Sequence, residues 1–391
     1  MRYLLLRLKR FCGFITGFVF FIGGILKLMD PTGAGLVMEG YFDFLHVGFL
    51  KPIAKSAGVL FALTESVIGI GLITGVWRKT FGIMAIILQG FFTILTLFLV
   101  IFNPDMDCGC FGEAIDLTHR QTFIKNLILF ALLAAYYYPA KYLGQNKKGK
   151  YVSFGIVTIS TAAFAVYSLI YIPLMDFTDY KPAAALQAGH AFATSENLYD
   201  SVFIYEKDGQ EETFGLDNLP DTTWNFVRAE TIAREDAVVQ NIIPLSFYDN
   251  DDNSMDHIAA EGKVMVVSVY DPEMSRSKWA RTAAFISEAS AIGFKTILLT
   301  TAIPQDTMGI NHIYISDYKT LITLNRSNGG ITFFSDGYLI RKWARQAVPD
   351  KETLSELYVG DDTENIMEQN AHGSLMFQGF LLYVFAIMLL I

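Results

Sequence analysis

Cysteine is scarce in this chain, at 3 of 391 residues. So few cysteines exclude a small secreted fold held together by many disulfides. Charged residues are also scarce, at 18% of the chain, whereas apolar residues make up 52% and phenylalanine alone contributes 32 residues. This composition is too apolar for an ordinary soluble protein of this length. It directs attention to runs of about 20 apolar residues, the length that a helix needs to cross a bilayer.

Basic residues are deficient in one part of the chain. Residues 176–373 hold 15 Lys and Arg against 31 Asp and Glu, a balance of −16. Residues 1–175 and 374–391 together hold 15 against 8, a balance of +7. Nucleic-acid binding requires a positive surface, so the acidic part excludes a nucleic-acid partner. The chain therefore combines a membrane part with basic edges and an acidic soluble part.

Six apolar stretches predict membrane-spanning helices. Each is close to the ~20 residues that cross the hydrocarbon of a lipid bilayer. No convincing cleavage site for a signal peptide follows the first stretch, so we expect that helix to be retained. The stretches are residues 11–29, 53–76, 81–102, 121–139, 151–175 and 374–391.

Basic residues lie in alternate connections between these stretches, which predicts the orientation. By the positive-inside rule those connections face the cytoplasm of a bacterial inner membrane. The N-terminus is then cytoplasmic, and residues 103–120 and 176–373 face outward. The basic residues are Arg2, Arg7, Lys9 and Arg10, then Arg78 and Lys79, then Lys141, Lys147, Lys148 and Lys150.

Two of the three cysteines, Cys108 and Cys110, lie in an outward connection, separated by Gly109. The outer side of a bacterial membrane is oxidising, so the pair can form a disulfide there. Gly109 permits the tight bend that such a short ring needs. A strained, exposed disulfide has an oxidising potential, so Cys108 and Cys110 are the predicted catalytic residues of a thiol redox site.

Two other interpretations of the pair stay open. It could be a structural disulfide or two inert thiols. It could also supply two of the four ligands of a zinc ion. The zinc interpretation is the weakest, because the other candidate ligands match no known ligand spacing, and no metal is predicted. Those candidates are Asp107, Glu113 and His119.

Glu65 and Gln89 are polar residues within predicted spans. An ionisable group in hydrocarbon is costly and marks a candidate functional site. The two lie about 16 Å and 12 Å from the cytoplasmic ends of their helices, depths that allow one hydrogen bond between them. They are either packing residues or part of a proton or quinone pocket below the cysteines. Lys27, close to the outer end of its span, is expected to extend outward to the interface. A direct salt bridge between Lys27 and Glu65 would require the second span to start deeper than predicted.

The acidic part alternates strands and helices. Residues 199–216 predict a β-hairpin, and residues 264–271, 277–293 and 295–301 predict strand, helix and strand. A further strand, a short helix, a hairpin and a last helix follow. The order resembles that of thioredoxins. Aligned without gaps, the thioredoxin C-x-x-C motif falls on residues 274–277.

The thioredoxin resemblance implies a degenerate domain. Met274 and Ser277 stand where the family has its two cysteines, and Gly329 stands where it has a cis-proline. A methionine and a serine cannot exchange disulfides, so the resemblance implies a redox-inactive domain that binds a partner.

The N-terminal part resembles the DoxX/MauE group of small bacterial membrane proteins. The resemblance rests on GFVFFIGGILKLMDP, LTESVIGIGLITGVWRKT and DCGCFGE. It implies a four-helix bundle linked to respiratory or thiol redox chemistry. DoxX relatives are subunits of quinone-linked oxidoreductases, and MauE is linked to disulfide formation during the maturation of methylamine dehydrogenase. A quinone is the cofactor that the resemblance suggests.

The sequence thus predicts an all-α membrane bundle of about six transmembrane helices with an extracytoplasmic α/β thioredoxin-like domain. The predicted domains are 1–145 (four-helix bundle), 146–175 (fifth transmembrane helix), 176–240 (linker and hairpin), 241–373 (thioredoxin-like domain) and 374–391 (last transmembrane helix).

The functional hypothesis is a redox-associated membrane protein that acts by thiol–disulfide exchange or quinone-linked electron transfer. Its expected partners are the lipid bilayer and an envelope protein. The rival is a non-enzymatic assembly protein whose outward domain binds a partner. Whether the chain is an enzyme stays open. A transporter that uses Glu65 is less favoured, because no internal repeat is visible.

Overall fold

The structure, a computed structural model, describes most of the chain. The described residues are 2–104, 106, 108–115, 117–138, 148–187, 199–207, 210–215, 218–221, 223–233, 242–304 and 306–390. They divide into two compact units. The membrane unit comprises residues 1–178, 343–347 and 368–391, and the α/β unit comprises residues 179–342 and 348–367. Each is described by itself.

The membrane unit is helical. Its elements are α1 (Arg2–Met29), α2 (Pro31–Phe44), a 3₁₀ segment (Gly48–Ile53), α3 (Ala54–Thr74), α4 (Arg78–Phe102), the short strand β1 (Cys110–Glu113), α5 (His119–Tyr137), α6 (Gly149–Ile170) and most of α10 (Asp362–Leu390). Among the described residues, five helical segments are long and apolar enough to cross a membrane. They are Leu6–Met29, Gly48–Thr74, Arg78–Phe102, Gly149–Ile170 and Asp362–Leu389. These helices indicate that the protein associates with a lipid bilayer.

The prediction of about six spans is confirmed for five helices but not for α5. The predicted span 121–139 is helical over His119–Tyr137, yet Arg120 and Lys125 reduce its apolar character. Its 19 residues still extend for roughly 28 Å alongside α1 and α4. Lys9 of α1 donates hydrogen bonds to the carbonyl oxygens of Tyr136 and Tyr138, at 3.0 and 2.7 Å. The α5 helix therefore ends beside the first turns of α1.

Basic residues occupy helix C-termini at one end of the membrane unit. Lys9 does so at the end of α5. Lys150 donates to the carbonyl oxygen of Met388 in the last turn of α10, at 2.9 Å, and Arg78 Nε donates to the Gly75 carbonyl after α3, at 3.1 Å. A cation at a helix C-terminus satisfies orphan carbonyls and opposes the helix dipole. One residue from each of the three predicted basic clusters thus donates to a carbonyl oxygen at a helix C-terminus.

The helix α2 lies in the region that was predicted only as a connection, residues 30–52. Asp30 caps it by accepting a hydrogen bond from the Gly33 amide at 2.9 Å, and Pro31 occupies its first turn. Both are ordinary signals of a helix start. The helix packs closely against the first turns of α3, since a Cβ on Gly35 would lie 3.0 Å from Lys55 Cα.

The α/β unit contains a seven-stranded mixed sheet. Its strand order is β6-β2-β11-β10-β7-β8-β9. The strands are β2 (Ala185–Leu186), β6 (Ile242–Ile243), β7 (Lys263–Val269), β8 (Lys295–Thr300), β9 (Ile313–Ile315), β10 (Gly330–Ser335) and β11 (Tyr338–Trp343). The helices of the unit are α7 (Arg276–Ile292), α8 (Tyr318–Leu324) and α9 (Lys351–Val359).

The seven-stranded sheet has a parallel part and an antiparallel part. The strands β7, β8 and β9 run parallel, and β10 runs antiparallel to β7, with Phe333 opposite Met265. Both faces are buried, which is why β7 and β8 are almost continuously apolar. The predicted order of strands and helices from residue 264 onward is therefore observed. The likeness to thioredoxins stays a prediction.

A separate three-stranded antiparallel sheet precedes this part. The predicted hairpin is present as β3 (Tyr199–Lys207) and β4 (Gln210–Gly215), but a third strand, β5 (Asn225–Ala233), pairs with the other edge of β3. The turn residues 208 and 209 lie outside the described residues. Part of the predicted linker also joins a sheet, because β2 pairs with β6 and β11.

Candidate functional site: a cavity at the cysteine loop

The two cysteines lie in a sharply bent segment, which we call the cysteine loop (residues 108–113). Gly109 has φ +58°, a left-handed conformation that favours glycine. A Cβ at this position would also lie 2.2 Å from Val37 Cγ1 of α2, so the space excludes any larger residue. Cys108 is buried and Cys110 half-buried, and the two are not joined by a disulfide in this structure.

Tyr41 of α2 holds the first half of the cysteine loop. Its hydroxyl donates a hydrogen bond to the Cys108 carbonyl oxygen at 2.8 Å. Burial raises the pKa of Tyr41, and ionised Cys110 and Cys108 thiols would raise it further. The hydroxyl therefore stays protonated at neutral pH and keeps donating to the loop.

The second half of the cysteine loop rests on α1. A Cβ on Gly23 would lie 3.3 Å from the Cys110 carbonyl oxygen and 3.2 Å from Glu65 Oε1. A Cβ on Gly112 would lie 3.8 Å from Lys27 Cα. The loop backbone, Lys27 and Glu65 therefore meet within one turn of α1, where small residues permit close approach.

Lys27 and Glu65 form a buried ion pair. Lys27 Nζ lies 2.5 Å from Glu65 Oε2, and the two side chains are only 12% and 8% exposed. The expectation that Lys27 extends to the membrane interface is wrong. The physical reason is that α2 and the cysteine loop pack at the end of α1, so the lysine finds a carboxylate instead of water.

The position of α2 also explains how the pair can form. Only one residue separates α1 from α2, and α2 packs on the first turns of α3. The start of α3 therefore extends beyond the end of α1 along the bundle. Glu65, eleven residues into α3, is thereby brought level with Lys27, two residues from the end of α1. A short connection between the two helices would not have produced this offset.

Gln89 is not brought to Glu65. It donates instead to the carbonyl oxygen of Asn126 on α5 at 3.0 Å, while Asn126 Nδ2 donates to Thr96 Oγ1 at 3.2 Å. The predicted contact between Glu65 and Gln89 is therefore wrong. Both residues lie at suitable depth, but Gln89 lies on the face of α4 that packs against α5, and its hydrogen bonds are made there.

A cavity of about 370 Å³ borders the cysteine loop. Its size falls within the range of pockets that hold small molecules. Its walls come from α1, α2, α3, α4 and the loop, and most of them are apolar. The polar or sulfur-bearing side chains on the walls are Lys27, Tyr41, Thr64, Thr96, Cys108 and Cys110.

Several apolar residues of the cavity wall are also exposed on the outside of the helices. Leu60 is 67% exposed and Phe91 51%. They lie on α3 and α4, both candidate membrane spans. In a membrane-spanning bundle, an exposed apolar side chain at such a position faces lipid. Part of the cavity wall is therefore formed by residues that also extend to the lipid-facing side of these two helices.

Among the described residues, the structure brings no set of candidate zinc ligands together at the cysteines. His119 hydrogen bonds through Nε2 to the Met106 carbonyl oxygen at 3.0 Å and through Nδ1 to Asn103 Oδ1 at 3.3 Å. Among the residues that the structure describes, no cluster of three or more His, Cys, Asp or Glu could hold a metal ion. Asp107 lies outside those residues.

In the α/β unit, the three residues aligned with the thioredoxin motifs lie near β7 and β10. Met274 lies between β7 and α7, and Ser277 lies in the first turn of α7, where Ser275 Oγ is 3.2 Å from Ser277 Oγ. Gly329 directly precedes β10, has φ +77°, and donates through its amide to the Ser268 carbonyl oxygen at 2.7 Å. Their correspondence to thioredoxin positions stays a prediction.

Sequence reasoning missed the contributions of Tyr41 and Val37 to this site, and it set aside the salt bridge between Lys27 and Glu65. The only signal for the first two was the helix start at Asp30 and Pro31, which would have placed a helix over the cysteine loop. For Lys27, the signal was a lysine and a glutamate on successive apolar spans, since intramembrane charges usually pair.

Two family models match parts of the chain. Residues 3–139 match the family described as methylamine utilisation protein MauE, and residues 199–235 match a domain of unknown function, DUF8463. The second match coincides with the three-stranded sheet. No curated protein and no solved structure matches the chain. The resemblance to MauE is thereby confirmed for residues 3–139, which form a MauE-like part of this protein.

Proposed function

We propose that this protein is a thiol–disulfide oxidoreductase of the bacterial inner membrane, with Cys108 and Cys110 as its redox pair. One observation carries the proposal: both cysteines border a mostly apolar cavity that is also lined by Lys27, whose partner is the buried Glu65. A purely structural disulfide has no need of such surroundings. The MauE match agrees with a membrane-bound role in a redox-related pathway.

The proposed orientation has the N-terminus in the cytoplasm and the cysteine loop outside. It is supported by the basic residues at the helix C-termini beside the first turns of α1, because the cysteine loop follows the opposite end of α4. Basic residues favour the cytoplasmic side. On the outer side, the pair would meet an oxidising compartment and client proteins with free thiols.

The proposed exchange starts from the Cys108–Cys110 disulfide. A client thiolate attacks Cys110, the more accessible sulfur, and the S–S bond breaks as Cys108 takes up a proton. The client's second thiolate then displaces Cys110, which also takes up a proton. The client leaves with a disulfide, and the protein keeps two thiols. Two electrons and two protons have been transferred to the protein.

A lipid-soluble quinone fits the cavity as the oxidant that restores the disulfide. When bound, a quinone accepts two electrons and two protons. The fit is supported by the mostly apolar walls, by the wall residues Leu60 and Phe91 that are exposed on the outside of two candidate membrane spans, and by the cysteines at the wall. Gln89, predicted as part of this pocket, is instead part of the α4–α5 packing. Glu65 would act through Lys27.

The α/β unit would serve as the outward, redox-inactive binding module, in the manner of a degenerate thioredoxin-like domain. The proposal is supported by the parallel β7 and β8, the antiparallel β10, and the placement of Met274 and Ser277 at the start of α7. An envelope protein partner or client would bind there. Its acidic composition favours a partner with a basic surface.

The rival function is a non-enzymatic assembly protein of the envelope, in which the α/β unit binds a partner and the cysteines are structural. It is favoured by the absence of cysteine from residues 111–391. The two functions differ in whether the cysteines cycle between thiol and disulfide.

The test is to replace both cysteines with serine in the full-length protein and to follow client oxidation in cells. We expect loss of client disulfides with unchanged protein abundance, because serine cannot exchange disulfides. The single variant Cys110→Ser should lose turnover in the same way. Cys12→Ser, deep in α1, is the matched control and should be silent. Normal client oxidation in the double variant would refute the redox function and leave the assembly role.

A further inference from the structure

Among the described residues of the cavity wall, Lys27 is the one strong hydrogen-bond donor that is left available. The three hydroxyl groups of the wall each donate to a carbonyl oxygen at 2.8 Å, namely Tyr41 to Cys108, Thr64 to Leu60 and Thr96 to Phe92. A hydroxyl has only one hydrogen, so these donors are already used.

The lysine ammonium has three hydrogens, and Glu65 accepts one of them. In the part of the chain that the structure describes, its other contact is with the ring of Phe92, 5.7 Å from Nζ to the centroid. Two hydrogens therefore remain for a ligand in the cavity. Glu65 fixes the ammonium in place and balances its charge, so a ligand does not need to be an anion.

The rest of the cavity defines the ligand's other properties. The walls are mostly apolar, and the wall residues Leu60 and Phe91 are exposed on the outside of two candidate membrane spans. A ligand would therefore arrive from the bilayer and would be apolar over most of its surface. It needs an acceptor oxygen at one point, beside Lys27.

We propose that Lys27, positioned by Glu65, anchors the carbonyl oxygen of an apolar ring compound that enters this cavity sideways from the membrane. The inference rests on the proposed function, since a quinone is the ring compound that the cysteine pair requires. It adds the residue that recognises the ring and the direction of access. Lys27 is a binding residue, and Glu65 is a positioning residue that acts through it.

The test compares two ligands that differ only in their oxygens. Duroquinone carries two carbonyl groups on a tetramethylated ring, and durene is the tetramethylated ring without them. Duroquinone has no free ring position for addition of a thiol. Binding is measured by calorimetric titration of the full-length protein in lipid nanodiscs, in the Cys108→Ser/Cys110→Ser background. Thiol chemistry then plays no part in the readout.

The main variant is Lys27→Met/Glu65→Gln, which removes both charges together and leaves no unpaired carboxylate in the bundle. We expect its affinity for duroquinone to fall about tenfold or more, as expected for a lost charge-assisted hydrogen bond, and its affinity for durene to change less than about twofold. Glu65→Gln alone keeps the ammonium and an acceptor for it, so duroquinone binding should be retained. Lys27→Arg should likewise retain it.

Gln89→Leu is the control for loss of a buried polar side chain away from the cavity, and it should bind both ligands like the parent. Equal affinity of the double-charge variant and the parent for duroquinone would overturn the inference. So would a parallel loss of both ligands, which would show a structural role of the pair.

The outcomes also separate this inference from the proposed function. If cysteine replacement leaves client oxidation normal but Lys27 still recognises duroquinone, the redox function fails and the ligand site stands. If client oxidation is lost but duroquinone and durene bind equally in all variants, the redox function stands and the role of Lys27 fails. Binding of neither ligand by the parent would overturn the site itself.

Discussion

The cysteine loop of the membrane unit and the β7–α7 junction of the α/β unit are the two places where a thiol pair could act, and they differ in how their polar groups are used. At the cysteine loop, Lys27 keeps donors beside a cavity. At the junction, the Asn328 side chain forms two hydrogen bonds with the Asp271 backbone: Nδ2 donates to the Asp271 carbonyl oxygen at 2.7 Å, and Oδ1 accepts from the Asp271 amide at 3.1 Å.

This difference indicates what a ligand site requires. Hydrogen-bond donors that are not already used, together with an adjacent cavity, matter more than the surrounding fold. At the junction, Ser275 and Ser277 lie within hydrogen-bond distance of each other, and Met274 and Ser277 stand where the predicted thioredoxin likeness would place thiols. The cysteine loop belongs to an ordinary helix bundle, yet it combines thiols, a cavity and an ammonium. The proposed function accordingly places ligand chemistry in the membrane unit and partner binding in the α/β unit.

The largest expected effect comes from breaking the buried ion pair. Replacing Glu65 with Ala leaves the Lys27 ammonium without its carboxylate in a low-dielectric interior. Removing one partner of such a pair typically costs about 3–5 kcal/mol in the free energy of unfolding. The loss should appear as a lower denaturant midpoint of the purified protein in detergent.

The matched control is Asp43→Ala, which breaks the pair between Lys51 and Asp43. Those side chains lie 2.8 Å apart but are 45% and 59% exposed. Water solvates both charges there, so we expect no measurable change. Equal destabilisation by the two substitutions would contradict the burial of the Lys27–Glu65 pair and with it the contrast between the two regions.

The next effect concerns the bend that presents the thiols. Gly109→Ala places a methyl group 2.2 Å from Val37 Cγ1 and forces a non-glycine residue to φ +58°. Overpacking of this kind costs about 1–3 kcal/mol in unfolding free energy. The displaced loop should also make Cys108 react faster with a thiol reagent. Both changes can be measured on one sample.

Val37→Ala in the same chain should recover part of that loss, because it removes the nearer methyl groups but not the strain in φ. Gly155→Ala on α6 is the neutral control. A Cβ there meets no atom within 4 Å, and alanine favours a helix. If Gly155→Ala destabilised the protein as much as Gly109→Ala, the cost could not be attributed to the contact with Val37 or to the φ of Gly109.

Much of the fold could be predicted because it depends on local patterns. The apolar runs identify α3, α4 and α6 within about five residues, since a span must be continuously apolar, whereas α1 and α10 begin nine and twelve residues before their predicted spans. The strands β7 and β8 are recognisable because both sheet faces are buried. The helix α2 was missed because PTGAGLVMEG is rich in glycine, and its stability comes from packing against α3.

The site could be predicted only in part, because depth in a membrane does not determine a helical residue's neighbours. The bend at Gly109 follows from its sequence context. The partners of Glu65 and Gln89 do not, since they depend on the offset of α3 relative to α1 and on which face of α4 meets α5. The strand β5 was missed for a similar reason, as its pairing with β3 is a tertiary contact.

The smallest expected effect concerns an exposed carboxylate that caps a helix of the α/β unit. Asp350 caps α9 by accepting a hydrogen bond from the Thr353 amide at 3.0 Å. Donation from the Thr353 amide and hydroxyl lowers the pKa of Asp350 below its ordinary value. A lowered pKa in the folded state means that the carboxylate stabilises the fold above the unfolded pKa of about 3.9. That contribution is lost as the pH falls through the folded pKa.

Because Asp350 is exposed to water, its substitution should act only on its own helix. We expect Asp350→Ala to speed hydrogen exchange of the first α9 amides by at most about tenfold at pH 6, whereas Asp350→Asn, which can still cap, should change it less. At a pH below the folded pKa, the parent and Asp350→Asn should exchange alike. A loss of stability in the Asp350→Ala variant as large as that of Glu65→Ala would remove the distinction between solvated charges in the α/β unit and the buried pair beside the cysteines.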